Sequence, residues 1–193
     1  MPMYYLLEEK PVGDTTDLLG LGPEPDIPGV DFMRGRRFDP AIVIPRPLRY
    51  ELSPEFPGEL PWFFKSGGPL MHDSIVEVLR NVGVDNIDVY DALLVDTADG
   101  TEWTEYKAVN IIGVVAAVDV ARSRFDPAHA DRLMTSRIEE LTLDEKKAGD
   151  LLIFRLAEKL SAIVVHENIK LAIEATDIGP LGFIEPKDWY GGI

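Results

Sequence analysis

Segments with strand character outnumber helical segments in this chain, and the two kinds do not alternate along the sequence. Helical spacing of apolar residues occurs only in 70–83 and 167–176. A doubly wound sheet needs a helix after almost every strand, and this order does not provide one. The sequence therefore predicts an α+β fold with a mostly antiparallel or mixed sheet and two to three short helices. The segments with strand character are 3–7, 87–96, 103–109, 136–145, 151–158, 161–165 and 181–186.

Turn residues mark the ends of several of these elements. Gly83 follows the first helical segment and is well placed to end it in a left-handed conformation. Asp99-Gly100 is a favourable turn pair between two segments with strand character, so we expect a β-hairpin there. Two prolines in residues 41–52 favour an edge strand or a polyproline conformation for that stretch.

The first sixty residues differ in character from the rest of the chain. Residues 11–32 are rich in proline, glycine and aspartate, which predicts a long irregular segment. We expect residues 1–60 to form an N-terminal arm with short strands that packs on an α+β domain of residues 61–193. A length of 193 residues fits one compact unit of this kind.

The charge of the chain restricts its partners. Aspartate and glutamate number 34 against 19 lysines and arginines, which gives a formal net charge of −15. Such a surface repels nucleic acid phosphates and anionic membranes, whereas it attracts a basic protein partner. The N-terminus lacks the features of a signal peptide, and the longest apolar run is far shorter than the ~20 residues of a membrane helix. We expect a cytoplasmic protein, with which the absence of cysteine is compatible.

Residues that could support catalysis or metal binding are sparse. The three histidines, His72, His129 and His166, do not lie four residues apart. Lys170 occupies the position where a zinc-binding helix that begins at His166 would need its second histidine. The stretch KSGG at 65–68 is not a phosphate-binding loop, since its lysine precedes the glycines. No serine lies in a G-x-S-x-G motif, so we predict no catalytic, cofactor-binding or metal-binding residue.

Seven acidic residues fall in the region of the predicted hairpin, and no lysine or arginine lies among them. One interpretation is a solvated hairpin face, and the other is an anionic patch that docks on a basic partner. The acidic segment 8–31 is a second candidate for such a contact. The partner-binding candidates in the hairpin region are Asp85, Asp88, Asp91, Asp96, Asp99, Glu102 and Glu105.

A central stretch combines an apolar run with polar residues at its ends. Residues 111–118 carry no polar side chain, which predicts a buried segment. The flanking polar side chains can accept backbone hydrogen bonds and fix the turns, since an unpaired buried group costs ~1–3 kcal/mol. We interpret them as structural rather than catalytic, because no base or metal ligand accompanies them. The residues of this motif are Tyr106, Asn110, Asp119 and Ser123.

This motif resembles the central signature of the eleventh-numbered immunity family of bacterial polymorphic-toxin systems, formerly a domain of unknown function. Further segments between residues 60 and 185 are similar to that family, namely IFRL at 153–156, a stretch that ends at Lys170, and a strand that contains Gly179 and Gly182. His166 departs from the family pattern, in which a serine-like cap precedes the helix. The resemblance implies a cytoplasmic antidote that is made beside a toxin and binds it.

The implied function is not enzymatic. The chain would neutralise its cognate toxin by occlusion, without turnover, and its acidity favours a basic toxin such as a nuclease. Two alternatives stay open at this stage. A small carboxylate-dependent hydrolase would need two convergent titratable groups in a pocket, and a scaffold or assembly module would need neither. The sequence also leaves open whether the chain forms homo-oligomers.

Overall fold

A computed structural model describes residues 3–125 and 138–190 of the chain. These residues contain thirteen β-strands and two α-helices, which confirms the α+β class. The helices are α1 (Asp73–Asn81) and α2 (Glu167–Glu174). The strands are β1 (Tyr4–Glu8), β2 (Gly20–Leu21), β3 (Leu48–Ser53), β4 (Phe63–Phe64), β5 (Leu70–His72), β6 (Ile87–Val95), β7 (Glu102–Ile111), β8 (Val114–Val115), β9 (Arg124–Phe125), β10 (Ile138–Glu140), β11 (Ile153–Leu156), β12 (Lys159–His166) and β13 (Gly182–Ile184).

The larger sheet has six strands in the order β2-β3-β6-β7-β5-β4. Strands β3 and β6 are parallel, whereas the other neighbours are antiparallel. β6 and β7 form the predicted hairpin, in which Ile87 lies opposite Ile111 and Val95 lies opposite Glu102. Gly100 in the turn has a φ of +79°, a left-handed conformation that glycine adopts without steric cost. The hairpin prediction is confirmed.

The smaller sheet has five strands in the order β13-β1-β12-β11-β8. β1 lies between two strands from the C-terminal part of the chain, since Leu6 pairs with Val164 on one side and with Ile184 on the other. β8 and β11 are parallel, and the other neighbours are antiparallel. The first strand is therefore an interior element of this sheet. β9 and β10 form a separate two-stranded pair.

The two helices begin in the same way, because the last residue of the preceding strand is a histidine that caps the helix. Nδ1 of His72 accepts a hydrogen bond from the backbone N–H of Ser74 at 3.2 Å, ahead of α1. Nδ1 of His166 accepts one from the backbone N–H of Asn168 at 3.1 Å, ahead of α2. Each bond satisfies a donor that the first helical turn leaves free. His166 therefore caps α2 at the position where the family resemblance implied a serine-like residue.

The central core lies where both helices meet both sheets. Ile75 of α1 and Ile169 of α2 pack in one cluster with Val109 of the larger sheet and Val165 of the smaller one. These side chains are buried, and helical spacing places the buried positions of each helix on one face. Gly83 follows α1 with a φ of +94°, which confirms the predicted left-handed end.

Two further clusters cover the opposite faces of the sheets. Phe154 and Trp189 belong to the cluster on the outer face of the smaller sheet. On the outer face of the larger sheet, Phe32 and Tyr50 pack with Leu94 of β6. Both belong to residues 1–60, which we call the N-terminal segment. The N-terminal segment therefore supplies much of the apolar cover of the larger sheet.

The expectation of a long irregular N-terminal arm is not confirmed. Residues between the short strands are irregular, but β1 is inserted in the smaller sheet and β3 pairs with β6 over Leu48–Ser53. β3 begins directly after the two prolines, because proline has no N–H to donate to a sheet ladder. Sequence patterns missed this integration because β1 finds both partners far along the chain. The domain division at residue 60 stays a prediction.

The apolar run 111–118 is not one buried segment, contrary to the prediction. β7 ends at Ile111, the chain turns at Gly113 with a φ of +136°, and β8 joins the other sheet beside β11. Val114 of β8 is 38% exposed, because β8 is an edge strand. The run connects the two sheets, so its first residue packs in the larger sheet and β8 packs in the smaller one.

Candidate functional site

The acidic residues of the hairpin region do not form one face. Asp88 and Asp91 lie three residues apart in a regularly paired part of β6, so their side chains point to opposite faces of the sheet. Asp88 is ion-paired with Arg37, and Asp91 lies 3.2 Å from Nζ of Lys107. The protein's own cations therefore offset part of this negative charge.

The carboxylates at the tip of the hairpin bond to their own turn. Oδ1 of Asp96 and Oδ1 of Asp99 each accept a hydrogen bond at 2.8 Å from the backbone N–H two residues later. Hydrogen bonds from Thr101 lower the pKa of Asp99. These two carboxylates stabilise the turn, which orders the charged tip.

The three remaining candidates are exposed, one in a loop and two in β7. Asp85 precedes β6 in the loop after α1, whereas Glu102 is the first residue of β7. Oε2 of Glu105 accepts a hydrogen bond from the backbone N–H of Thr104 at 2.8 Å. The seven acids are thus divided among two sheet faces, a turn and a loop, and their role in partner binding stays a prediction.

Two residues of the central motif tie β7 to the loop at Arg36 and to Pro61, which precedes β4. The buried hydroxyl of Tyr106 donates to the carbonyl oxygen of Pro61 at 2.7 Å, and burial raises the pKa of Tyr106 to about 12. Asn110 is buried and donates from Nδ2 to the carbonyl oxygen of Arg36 at 2.9 Å. Asn110 therefore does not accept a backbone N–H in the next turn, as the sequence suggested, because its amide reaches a distant loop.

Asp119 and Ser123 hold the chain that follows β8. Oδ1 of Asp119 accepts a hydrogen bond from the backbone N–H of Arg122 at 3.2 Å. Oγ of Ser123 accepts the backbone N–H of Thr142 at 2.9 Å and donates to the carbonyl oxygen of the same residue at 3.2 Å. All four motif residues therefore use side-chain atoms to bond backbone groups, an arrangement that orders loops.

A cleft that the sequence analysis did not identify lies between the N-terminal segment and the larger sheet. Its volume is about 390 Å³. Glu9 and Glu24 contribute carboxylates, whereas Leu19, Leu21 and Phe64 contribute apolar walls. We call it the acidic cleft. Its lining residues are Glu9, 18–22, Glu24, Phe56 and 64–66.

Glu9 is the partly buried carboxylate of the acidic cleft. Its Oε1 accepts a hydrogen bond from the backbone N–H of Lys65 at 2.5 Å. Burial raises the pKa of Glu9, and the hydrogen bond from Lys65 opposes this rise only in part. The ammonium of Lys65 instead pairs with Glu8 at 2.5 Å and lies 5.8 Å from the ring centre of Trp189.

Substitution of Glu9 by glutamine tests this burial. A raised native pKa means that protonated Glu9 stabilises the fold, and that this contribution is lost as pH rises above the ordinary glutamate pKa of about 4 and through the raised native pKa. Glu9→Gln stays neutral, so the variant should become more stable than wild type above the ordinary glutamate pKa. Urea unfolding of both proteins at a series of pH values measures the difference, and the exposed Glu55→Gln serves as the control for one lost charge. A difference that shrinks as pH rises would contradict the assignment.

A buried arginine is hydrogen-bonded to the turn at 65–68, which borders the acidic cleft. Arg155 in β11 is 0% exposed and donates to the carbonyl oxygens of Gly67 at 2.8 Å and Leu160 at 2.7 Å. Burial lowers the pKa of Arg155 to about 10, which leaves it protonated at neutral pH. On the cleft side, Oε1 of Glu24 accepts the backbone N–H of Gly68 at 3.2 Å. The turn at 65–68 is therefore fixed from both sides.

A second cleft of about 600 Å³ adjoins the first and shares Glu9 and Lys65 with it. Glu8 in this second cleft accepts hydrogen bonds from Nε1 of Trp189 at 2.7 Å and from the Lys65 ammonium. Its charge is thus already compensated within the protein. Among residues 3–125 and 138–190, neither Glu9 nor Glu24 has an ion-pair partner of this kind.

Sequence reasoning missed the acidic cleft because its walls come from separate parts of the chain. Glu9 follows β1, Glu24 lies in the irregular segment, and residues 64–66 comprise the last residue of the short strand β4 and the two residues after it. One local signal was the KSGG stretch, which forms a turn as its glycines suggest. The acidic segment 8–31, named as a contact candidate, does contribute both carboxylates.

Metal sites and membrane helices can be assessed for the described part of the chain. There, no group of three or more histidine, aspartate or glutamate residues is arranged to hold a metal ion. His129 lies outside the described residues. In the same ranges, neither helix is long and apolar enough to cross a bilayer.

Comparison with known proteins gives one family. The sequence model described as "Immunity protein family (Imm11)" matches residues 56–188, which is more than half of the chain. This match confirms the resemblance that the central motif indicated. It includes the hairpin and both helices, whereas Glu9 and Glu24 precede it. No curated protein matches the chain significantly.

Proposed function

This chain belongs to the Imm11 immunity protein family, and we propose that it binds a cognate bacterial toxin and neutralises it by occlusion, without turnover. Family membership is the observation that carries the proposal. An immunity protein of this kind covers the active site of the toxin, or a surface next to it, and needs no reacting group of its own. The four motif residues fit this function, because their polar contacts stabilise the fold and present no nucleophile.

The charge of the chain favours a basic toxin domain. A net charge of −15 creates a field that attracts a cationic protein from beyond contact distance. The ordered carboxylates at the hairpin tip contribute to this field even where they do not touch the partner. A nuclease domain, which binds phosphates through its own cations, suits this field. We place the encounter in the cytoplasm of the producing bacterium.

Co-expression tests the proposal. The toxin to use is the toxin-like domain encoded by the reading frame adjacent to the gene for this chain. Cells that make the toxin should survive only when this chain is also made, and the two proteins should co-purify as a complex. Survival without this chain, or toxicity that persists in its presence with no complex formed, would disprove the proposal.

Salt dependence tests the electrostatic part of the proposal. We expect the association rate constant to fall by about tenfold or more between about 50 and 500 mM NaCl, because salt screens the attraction. The dissociation rate constant should change far less. Stopped-flow fluorescence or surface plasmon resonance measures both constants. An association rate that is independent of salt would mean that the partner is not basic.

A carboxylate-dependent hydrolase is the second candidate, because the acidic cleft brings together Glu9 and Glu24. Burial raises the pKa of Glu9, as in many general acids. Turnover of a small ester, phosphoester or glycoside by the purified chain, and its loss in Glu9→Gln, would favour this function over toxin binding. A scaffold function would appear as self-association in size-exclusion chromatography without the toxin.

A further inference from the structure

We propose that the acidic cleft is the anchor point of the partner and receives one arginine side chain from a basic loop of the toxin domain. This inference rests on the proposed function and identifies the surface that performs it. The occupant is a guanidinium group on an apolar stem. Three properties of the cleft support this choice of occupant, namely its shape, its charge and its rigidity.

The shape and lining suit an arginine stem. Leu19, Leu21 and Phe64 form apolar walls in a space of about 390 Å³, which exceeds the needs of one long side chain. Phe56 at the same site is 57% exposed, an unusual position for a large aromatic ring in this fold. Arginine stacks its planar guanidinium on aromatic faces and packs its methylene groups on apolar surface.

Neither carboxylate of the cleft forms a contact ion pair within the described residues, although Lys10 and Lys65 attract Glu9, and Arg155 attracts Glu24, from a longer distance. Glu9 and Glu24 each accept a backbone N–H, which leaves further lone pairs on every carboxylate for a second donor. Lys65, the cation of the lining, turns its ammonium to Glu8 and Trp189. Arg155 directs two N–H groups to backbone carbonyls. A guanidinium has five N–H donors, which are enough to supply the remaining lone pairs of both carboxylates.

The walls of the cleft are fixed before a partner arrives. A Cβ atom on Gly20 would lie 2.9 Å from Cβ of Phe56, so only glycine lets the ring sit against this strand. Arg155 donates a hydrogen bond to the carbonyl oxygen of Gly67, and Glu24 accepts one from the backbone N–H of Gly68. Because little ordering is needed on binding, an arginine in this cleft loses less affinity to entropy than one on a mobile surface.

The cleft joins the matched part of the family to a part outside it. Lys65 and Ser66 lie within residues 56–188, whereas Glu9 and Glu24 come from the N-terminal segment. A surface that selects one toxin needs features beyond those that a family shares. The hairpin lies wholly inside the matched part. Its carboxylates either lie on opposite faces of the sheet or accept hydrogen bonds from the hairpin's own turn.

The cleft and the hairpin should therefore act on different rate constants. Charges at a rim change association, whereas removal of a desolvated, hydrogen-bonded charge changes dissociation. The Glu9→Gln/Glu24→Gln double variant removes two charges from the cleft. Asp99→Asn/Glu102→Gln removes two charges from the hairpin and is its matched control. Urea unfolding of both variants confirms that each is folded before binding is measured.

The first measurement uses a small probe. Nuclear magnetic resonance titration of the ¹⁵N-labelled wild-type chain with N-acetyl-arginine amide, up to about 50 mM, should give saturable shifts at the amides of Gly20, Gly22 and Gly68. N-acetyl-citrulline amide has the same shape without charge and should give none. The cleft variant should lose the saturable shifts, and the hairpin variant should keep them. Shifts confined to other regions, or absent throughout, overturn the inference.

The second measurement uses the toxin domain. We expect the cleft variant to dissociate at least about 30-fold faster than wild type, and the hairpin variant to associate more slowly with dissociation within about twofold. Equal dissociation of cleft variant and wild type overturns the inference and leaves the proposed function intact. Failure of the wild-type chain to bind or protect disproves the proposed function, and with it the anchor role, whatever the probe shows.

Discussion

Replacement of Arg155 by alanine is expected to lower the free energy of unfolding by about 2–4 kcal/mol. The guanidinium is fully buried, and its loss leaves the carbonyl oxygens of Gly67 and Leu160 without their donors. Each charge-assisted bond contributes about 1.5–3 kcal/mol, and relief of the buried charge offsets part of the sum. Urea denaturation followed by circular dichroism measures the change.

Two controls separate this effect from a loss of charge. Arg80→Ala removes an exposed cation from the end of α1 and should change stability by less than about 0.5 kcal/mol. Arg155→Lys keeps a cation but lacks the planar fork that reaches two carbonyls, so it should fall between wild type and alanine. If Arg155→Ala and Arg80→Ala had equal stability, the buried bonds would contribute nothing net.

Leu6→Ala is expected to cost about 2–5 kcal/mol, although Leu6 stands in the predicted N-terminal arm. Its side chain is 0% exposed within the cluster on the outer face of the smaller sheet. The substitution opens a cavity beneath β1, which has a strand on either side. The same denaturation experiment measures the loss, and a concentration series excludes self-association as its cause.

Val12→Ala is the matched control, because Val12 belongs to the same N-terminal segment but is 75% exposed. It should leave the unfolding midpoint almost unchanged. A small effect of Leu6→Ala, comparable with that of Val12→Ala, would mean that residues 1–60 can detach from a domain that is stable without them. A large effect would argue for one cooperative unit.

Local signals in the sequence predicted the elements but not their partners. Gly83 and the Asp99-Gly100 pair end a helix and form a hairpin turn, since these conformations depend on a few adjacent residues. The position of β1 depends on pairing with residues more than 150 positions away, for which periodicity carries no information. The prediction of one buried segment at 111–118 was wrong for the same reason, because the two ends of this run belong to different sheets.

The candidate site shows the same limit. A run of seven acids in the sequence suggested one charged patch, but strand alternation sends neighbours such as Asp88 and Asp91 to opposite faces. Glu9 and Glu24 were predicted contact residues only as members of the acidic segment 8–31. Their convergence depends on the way that the irregular segment packs across the larger sheet, which no local rule determines.

The position of β1 has a consequence for how the protein is made. This strand leaves the ribosome well before the residues that flank it in the finished sheet, 164–166 and 182–184, are synthesised. At ~5–20 residues per second the strand waits on the order of ten seconds. A nascent chain arrested before β12 should therefore stay sensitive to protease at its start. Under the proposed function, a cell that makes the toxin would be protected only by molecules in which β12 and β13 have already been synthesised.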